Sequence, residues 1–217
     1  MKKIMILIYS LIIVIFLIFI SNKLLIKKNI NSIYNSLVYI ESVNDDTITS
    51  GSGFVYKILN NKAYIVTNYH IIHKYNYIYV YDINKKRIKA ELISYDVKND
   101  IAILIIDNSL ELKEANIVKH INLKILDKIY VVGTPYDIKN MGTITSGKVI
   151  DIENIEDLYD FEAIKITAKT DYGNSGSPVL NGKGQIVGMA FLKGTVDDFS
   201  YAIPIDFIVN YVDSKIN

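Results

Sequence analysis

From Ile30 onward the chain alternates short apolar runs with polar breaks. The runs LVYIES (37–42), GFVYKIL (53–59), KAYIVTN (62–68), YIYVYDI (77–83), IAILII (101–106), KIYVVG (128–133) and EAIKITA (162–168) are rich in Ile, Val, Tyr and Phe. Several keep the two-residue period of half-buried strands. Turn-forming clusters lie between them, at Asn60–Asn61, Asn84–Lys85–Lys86 and Asn181–Gly182–Lys183–Gly184. Strands at this spacing predict a β-sandwich or barrel. One amphipathic helix is predicted at the C-terminus, where Ile205, Ile208, Val209, Val212 and Ile216 share a face and Asp206 is placed to cap it. The pattern divides the chain into an N-terminal segment (1–28), a short linker or helix (29–36) and one β domain (37–217).

The N-terminal segment has a different pattern. Ile4 to Ile20 read IMILIYSLIIVIFLIFI, 17 residues without a charge. As a helix this run spans roughly 25 Å, near the lower limit for crossing a bilayer. It is apolar all round, unlike an amphipathic core helix. The following SNKLLIKKN lacks the small-x-small site of a cleaved signal peptide, so an uncleaved single-pass anchor is expected. Lysines flank it almost evenly, two before and three after, so the positive-inside count is close to a tie. A short cytoplasmic N-terminus with an extracytoplasmic domain is the favoured orientation.

Composition sharpens this division. The 217 residues carry 24 basic and 23 acidic groups, no cysteine and no tryptophan. With the five lysines of residues 1–29 set aside, 19 basic and 23 acidic residues remain in the β domain. A mildly acidic domain argues against nucleic acid as a partner. The absence of cysteine excludes disulfide scaffolds, zinc–thiolate sites and cysteine nucleophiles.

Three segments are candidates for chemistry. In Gly173–Asn174–Ser175–Gly176–Ser177–Pro178, a serine flanked by glycines suits a nucleophile on a tight turn. The N–H groups of Gly173 and Ser175 could converge there on one oxygen. A plain Gly/Ser turn between strands is the other reading. In Tyr64–Ile65–Val66–Thr67–Asn68–Tyr69–His70 an apolar strand ends just before one of only three histidines, suiting a general base or an ordinary turn histidine. In Lys98–Asn99–Asp100–Ile101–Ala102 the carboxylate immediately precedes an apolar strand. Drawn inward it needs a partner, which a histidine N–H supplies; exposed, it is a turn residue.

Taken together, these three segments resemble the His, Asp and Ser motifs of chymotrypsin-fold serine proteases, in the chymotrypsin chain order. The resemblance is closest to the bacterial HtrA/Deg-like group and its glutamyl-endopeptidase relatives. It extends to Gly51–Ser52–Gly53–Phe54–Val55, Val131–Val132–Gly133–Thr134–Pro135, Thr143–Ile144–Thr145–Ser146–Gly147, Gly184–Gln185–Ile186–Val187–Gly188 and Tyr201–Ala202–Ile203–Pro204–Ile205. It covers roughly residues 36 to 212.

The resemblance implies an all-β fold of two six-stranded antiparallel β-barrels with a C-terminal helix, here preceded by one transmembrane helix. It implies a serine endopeptidase with His70, Asp100 and Ser175 as triad and Gly173, Asn174 and Ser175 around the oxyanion hole. Lys169, Met189, Ala190 and Phe191 are expected at the substrate pocket. The last three suggest small or apolar side chains at the cleavage position; Lys169 suggests an acidic one. The strand Gly188–Met189–Ala190–Phe191–Leu192 lacks the histidine with which the relatives bind glutamate, so that specificity does not carry over. The implied partners are protein or peptide substrates, as in quality control, and a homotrimer. No PDZ domain is expected after the C-terminal helix. The alternative is a catalytically silent binding module or chaperone on the same fold, against which an intact triad argues.

No cofactor or metal is expected. Gly142–Thr143–Ile144–Thr145–Ser146–Gly147–Lys148 matches most of a P-loop, but Val149 replaces the magnesium-binding hydroxyl and no βαβ context surrounds it. His70 and His73 lack a convincing third ligand.

Overall fold

In a computed structural model, residues 2–45, 47–120, 122–194 and 199–216 are described, leaving aside the side chains at 2–4, 6, 7 and 10. Twelve strands close into two six-stranded antiparallel barrels. The first contains β1 (Leu37–Val43), β2 (Ile48–Leu59), β3 (Lys62–Thr67), β4 (Tyr77–Tyr81), β5 (Arg87–Asp96) and β6 (Ile101–Asp107), in the order β1-β2-β3-β6-β5-β4. The second repeats that winding with β7 (Lys128–Gly133), β8 (Thr143–Glu153), β9 (Ala163–Ile166), β10 (Pro178–Asn181), β11 (Ile186–Lys193) and β12 (Ser200–Pro204). Closure leaves neither sheet with a free edge.

The strand pattern follows from three separate cores. Val38, Ile40, Val55, Ile65 and Leu104 fill the first barrel. Ile129, Val131, Val149, Ile164 and Val179 fill the second. Between them, Phe54, Val66, Val132, Leu180, Met189 and Ile203 form a seam. β6 shows the consequence. Ala102 and Leu104 face the first barrel's core while Ile101 and Ile103 face the seam, so IAILII is a continuous apolar run with no alternation. β5 is the opposite case: Arg87, Lys89, Glu91, Ile93 and Tyr95 are exposed, and its weak apolar signal did not mark it as a strand.

Helix α3 (Ile205–Ile216) packs on the seam through Ile205, Ile208, Val209 and Val212, all buried. Each such side chain contributes about 1.5–3 kcal/mol. Asp206, expected as the cap, instead lies in the first turn because β12 runs directly into the helix. Its carboxylate accepts the backbone N–H of His120 at 2.7 Å.

Helix α1 (Lys2–Asn31) is longer than the apolar run. Its final turn and the 3₁₀ turn Ser32–Asn35 bring Ile30 and Ile33 into the seam, each 2% exposed. The stretch 29–36, expected as linker or short helix, is therefore helical and anchored to the barrels by two buried isoleucines. Leu11 to Phe19 are 50–65% exposed. Among the described residues no helix is long and apolar enough to cross a membrane. The expected span 4–20 also takes in Ile4, Ile6, Leu7 and Ser10, whose side chains lie outside the described set.

Candidate active site

His70 is delivered by the end of β3. Asn68 stays extended at φ −80° and ψ 145°, and the short helix α2 (Tyr69–Ile72) turns the chain so that His70 sits in its first turn. Asp100 lies one residue before β6, in the left-handed region at φ 54°. That region is costly for most residues, but Asp and Asn visit it. The turn is held on both sides. Asn99 bonds the Asp96 carboxylate through its N–H at 3.0 Å and its Nδ2 at 2.7 Å, and Nδ2 also reaches Asp160 Oδ2 at 3.0 Å. Asn68 Nδ2 holds the Asp100 carbonyl at 2.9 Å.

The carboxylate of Asp100 engages His70 twice. Oδ1 accepts the His70 backbone N–H at 2.9 Å, and Oδ2 lies 2.7 Å from Nδ1. An ionised carboxylate can only accept, so Nδ1 carries the proton and Nε2 is left as the basic nitrogen. The Asp100 side chain is 14% exposed and His70 45%. The pair thus joins a nearly buried acid to an accessible imidazole.

Ser175 comes from the second barrel, on the turn before β10. Gly173 has φ 90° and Gly176 φ 80°, both left-handed. A Cβ on Gly176 would lie 1.9 Å from the Ser52 carbonyl oxygen, so only glycine fits there. Two peptides of this loop have their carbonyls engaged: Tyr172 O accepts Tyr136 N–H at 2.6 Å, and Asn174 O accepts Ser177 N–H at 3.0 Å. The peptides are trans, so the N–H groups of Gly173 and Ser175 face the opposite way. Among the described residues neither donates to a protein acceptor. Unpaired backbone donors are what an oxyanion hole requires. Asn174 is buried beside Gly133, where its side-chain oxygen would crowd any Cβ.

His70 and Ser175 line one cleft of about 520 Å3, shared by the two barrels. A second recess, lined by Tyr69, Val97, Leu158 and Tyr159, also reaches His70 and Asp100 and shares Phe191 and Leu192 with the first.

A sequence profile described as the trypsin-like peptidase domain matches residues 51–189, more than half of the chain. The chain belongs to the trypsin-like peptidase family. It is 30% identical over 171 residues to a "Serine protease Do-like HtrB" of Bacillus subtilis, covering 75% of this chain and 37% of that protein. It is 29% identical over 203 residues to a "Serine protease Do-like HtrA" of Lactobacillus helveticus, covering 86% and 49%. The chain therefore spans between about a third and a half of these relatives' length. The solved serine endoprotease of Yersinia pestis superposes with a TM-score of 0.77 at 26% identity, covering 88% of this chain and 66% of that one.

In this member of the trypsin-like peptidase family the expected pocket residues separate. Ala190 and Phe191 line the cleft. Met189 does not: it is fully buried in the seam. A register shift in β11 between Ala190 and Leu192 breaks the alternation beyond it, where the adjacent Ala190 and Phe191 both reach the cleft. Lys169 lines a smaller adjoining recess of about 170 Å3. Residues not foreseen complete the cleft, among them Thr170, Asp171, Tyr172 and Lys193. The buried hydroxyls of Thr170 and Ser200 meet at 2.7 Å. Lys193, 2.9 Å from Asp171, holds that carboxyl below its ordinary range, with help from the Tyr136 hydroxyl. Spacing within the Ser motif gave no signal for these groups, since they come from β11 and the chain before Gly173.

Ser52 was legible only as part of a first-barrel strand. In the structure it is fully buried and reaches across the seam to the Ser175 loop. Its Oγ donates to Gly173 O at 2.9 Å and accepts Thr134 N–H at 3.1 Å; its N–H donates to Ser175 O at 2.8 Å. Ser52→Ala is expected to lower kcat by about 10–100-fold with little change in KM, a fraction of the loss from removing an oxyanion donor outright. Steady-state kinetics on a peptide substrate checks this. A parallel rise in KM with unchanged kcat would assign Ser52 to binding instead.

Proposed function

We propose that the chain is a membrane-anchored serine endopeptidase of HtrA type, acting through His70, Asp100 and Ser175. The observation that carries the reading is the double engagement of His70 by Asp100 on the cleft that Ser175 also lines. In this reading Ser175 Oγ attacks the scissile carbonyl carbon as His70 Nε2 takes its proton. The oxyanion forms against the N–H groups of Gly173 and Ser175. His70 then protonates the leaving amine, and water hydrolyses the acyl-enzyme by the same steps. Asp100 keeps the tautomer and stabilises the imidazolium. Ala190 and Phe191 support small or apolar side chains at the cleavage position. The substrates are protein segments, in line with the protease names of the relatives. A silent binding module has no observation in its favour.

The test is covalent labelling. A fluorophosphonate probe is expected to form one adduct on the full chain, located on Ser175 by peptide mass analysis. A folded chain that takes no label would sink the proposal.

The anchor is argued from solvation. Large apolar side chains from Leu11 to Phe19 are half-exposed or more around the whole helix, an arrangement suited to lipid and costly in water. Full-length chain is expected to stay with membranes through alkaline carbonate extraction. The chain has no cysteine, so a single Glu91→Cys reports the side on which the barrels lie. Labelling of intact cells by a membrane-impermeant maleimide supports the extracytoplasmic placement; labelling only after lysis overturns it.

A further inference from the structure

Where α1 leaves the apolar run it does not lie flat on the second barrel. A groove of about 460 Å3 separates it from the β7–β8 hairpin. Phe19, Ile26, Ile30, Tyr130 and Ile144 form apolar walls. Among the described residues three lysines, Lys23, Lys27 and Lys128, line the same groove, and no acidic side chain does.

The charges are placed with some regularity. Lys23 and Lys27 are four residues apart and share a helix face. They lie about 4.5 and 10 Å beyond the end of the apolar run, the depth of lipid headgroups for a helix that spans the bilayer. Lys128 pairs directly with Lys148 across β7 and β8. Like charges directly opposite each other weaken a sheet unless an anion offsets them. Among the described residues none of these four lysines forms an ion pair; Lys128 Nζ lies 5.3 Å over the Tyr130 ring. The loop before Lys128 carries two exposed apolar residues, Ile125 (61%) and Leu126 (65%). The acid next to them, Asp127, accepts the Lys124 N–H through its carboxylate at 2.9 Å.

We propose that this groove binds an anionic phospholipid, its phosphate held by Lys23, Lys27 and Lys128 and one acyl chain laid along Phe19, Ile26, Tyr130 and Ile144. The charge complementarity favours an anionic over a zwitterionic headgroup, and the apolar walls favour a lipid over free phosphate. The proposal rests on the reading of α1 as an anchor. A lipid in this position would brace the second barrel against the bilayer surface and fix the height of the cleft above it.

The experiment uses the full chain in neutral detergent, titrated with phosphatidylglycerol or phosphatidylcholine and followed by native mass spectrometry and melting temperature. Phosphatidylglycerol is expected to bind about a hundredfold more tightly, the scale set by three interfacial lysines. The triple variant K23Q/K27Q/K128Q should lose that preference and K23R/K27R/K128R should keep it, while both still take the fluorophosphonate label. Excess glycerol 1-phosphate should not compete. Equal binding of the two lipids, or a preference retained in the Gln variant, overturns the proposal. Competition by glycerol 1-phosphate would make the site a free-phosphate site and overturns it as well. Carbonate extraction tests the anchor separately, so a chain stripped from membranes that still prefers phosphatidylglycerol in detergent would refute the anchor and leave the groove's ligand standing.

Discussion

Ser175→Ala is expected to reduce kcat/KM for peptide hydrolysis by about 10⁴- to 10⁶-fold, the range for removing a triad nucleophile. That corresponds to roughly 5–8 kcal/mol of transition-state stabilisation. The substitution removes one oxygen and leaves the loop's own bonds in place. Ser175 O still accepts from Ser52, Ser177 N–H still reaches Asn174 O, and Gly176 N–H still reaches Ala190 O. Ser175 is only partly buried, so no large cavity opens. Melting should therefore shift by no more than about 1 kcal/mol in stability, as for substitutions that touch neither core nor network. The residual rate belongs to the donors of Gly173 and Ser175, which remain. Steady-state kinetics and thermal unfolding on the same preparation make the check. Undiminished hydrolysis by the variant would show that Ser175 is not the nucleophile.

Much of this architecture was legible because burial leaves a direct mark on residue choice. The strands around Val38, Ile65 and Leu104 were marked by apolar runs, and the buried face of α3 by the spacing of Ile205, Ile208, Val209 and Val212. The two-barrel division came from the resemblance, since strand patterns alone do not separate a sandwich from a barrel. β5 left little mark because so much of it faces water. The span 29–36 looked like a tether because two buried isoleucines in eight residues do not make a pattern.

At the candidate site, the residues proposed to do chemistry leave more trace in the sequence than those that hold them. His70, Asp100 and Ser175 stand in short motifs beside strands. Ser52 lies 121 positions from Gly173, whose carbonyl it holds, and no local spacing can express that contact. The left-handed backbone of Asp100 was equally hidden, because an aspartate before a strand carries no mark of its φ. Met189 was misplaced for a simpler reason. It belongs to the seam, and only past it does a register shift in β11 bring adjacent residues to the cleft, which no run of apolar letters reveals.

That left-handed backbone decides which substitution tests the acid cleanly. Asp100→Asn is expected to lower kcat by about 10⁴-fold, or about 5.5 kcal/mol, with the fold retained. Asn also tolerates φ near 54°, and the carbonyl of residue 100 keeps its bond from Asn68. Asp100→Ala would add backbone strain to the chemical loss and confuse the two. The side-chain amide has one acceptor and one donor where the carboxylate has two acceptors. If its oxygen keeps the His70 backbone N–H, its NH₂ faces Nδ1. Nδ1 must then accept, the ring proton moves to Nε2, and the base toward Ser175 is gone. If the amide flips, the ring keeps its tautomer but the His70 N–H loses its partner and an unsatisfied donor remains. Both outcomes slow acylation, and neither alters the cleft walls, so KM should change little. Fluorophosphonate labelling should slow in parallel with kcat, because the probe needs the same activated serine. A variant that labels and turns over at the normal rate would remove Asp100 from the mechanism, and its two bonds to His70 would then be only a strand-end clasp.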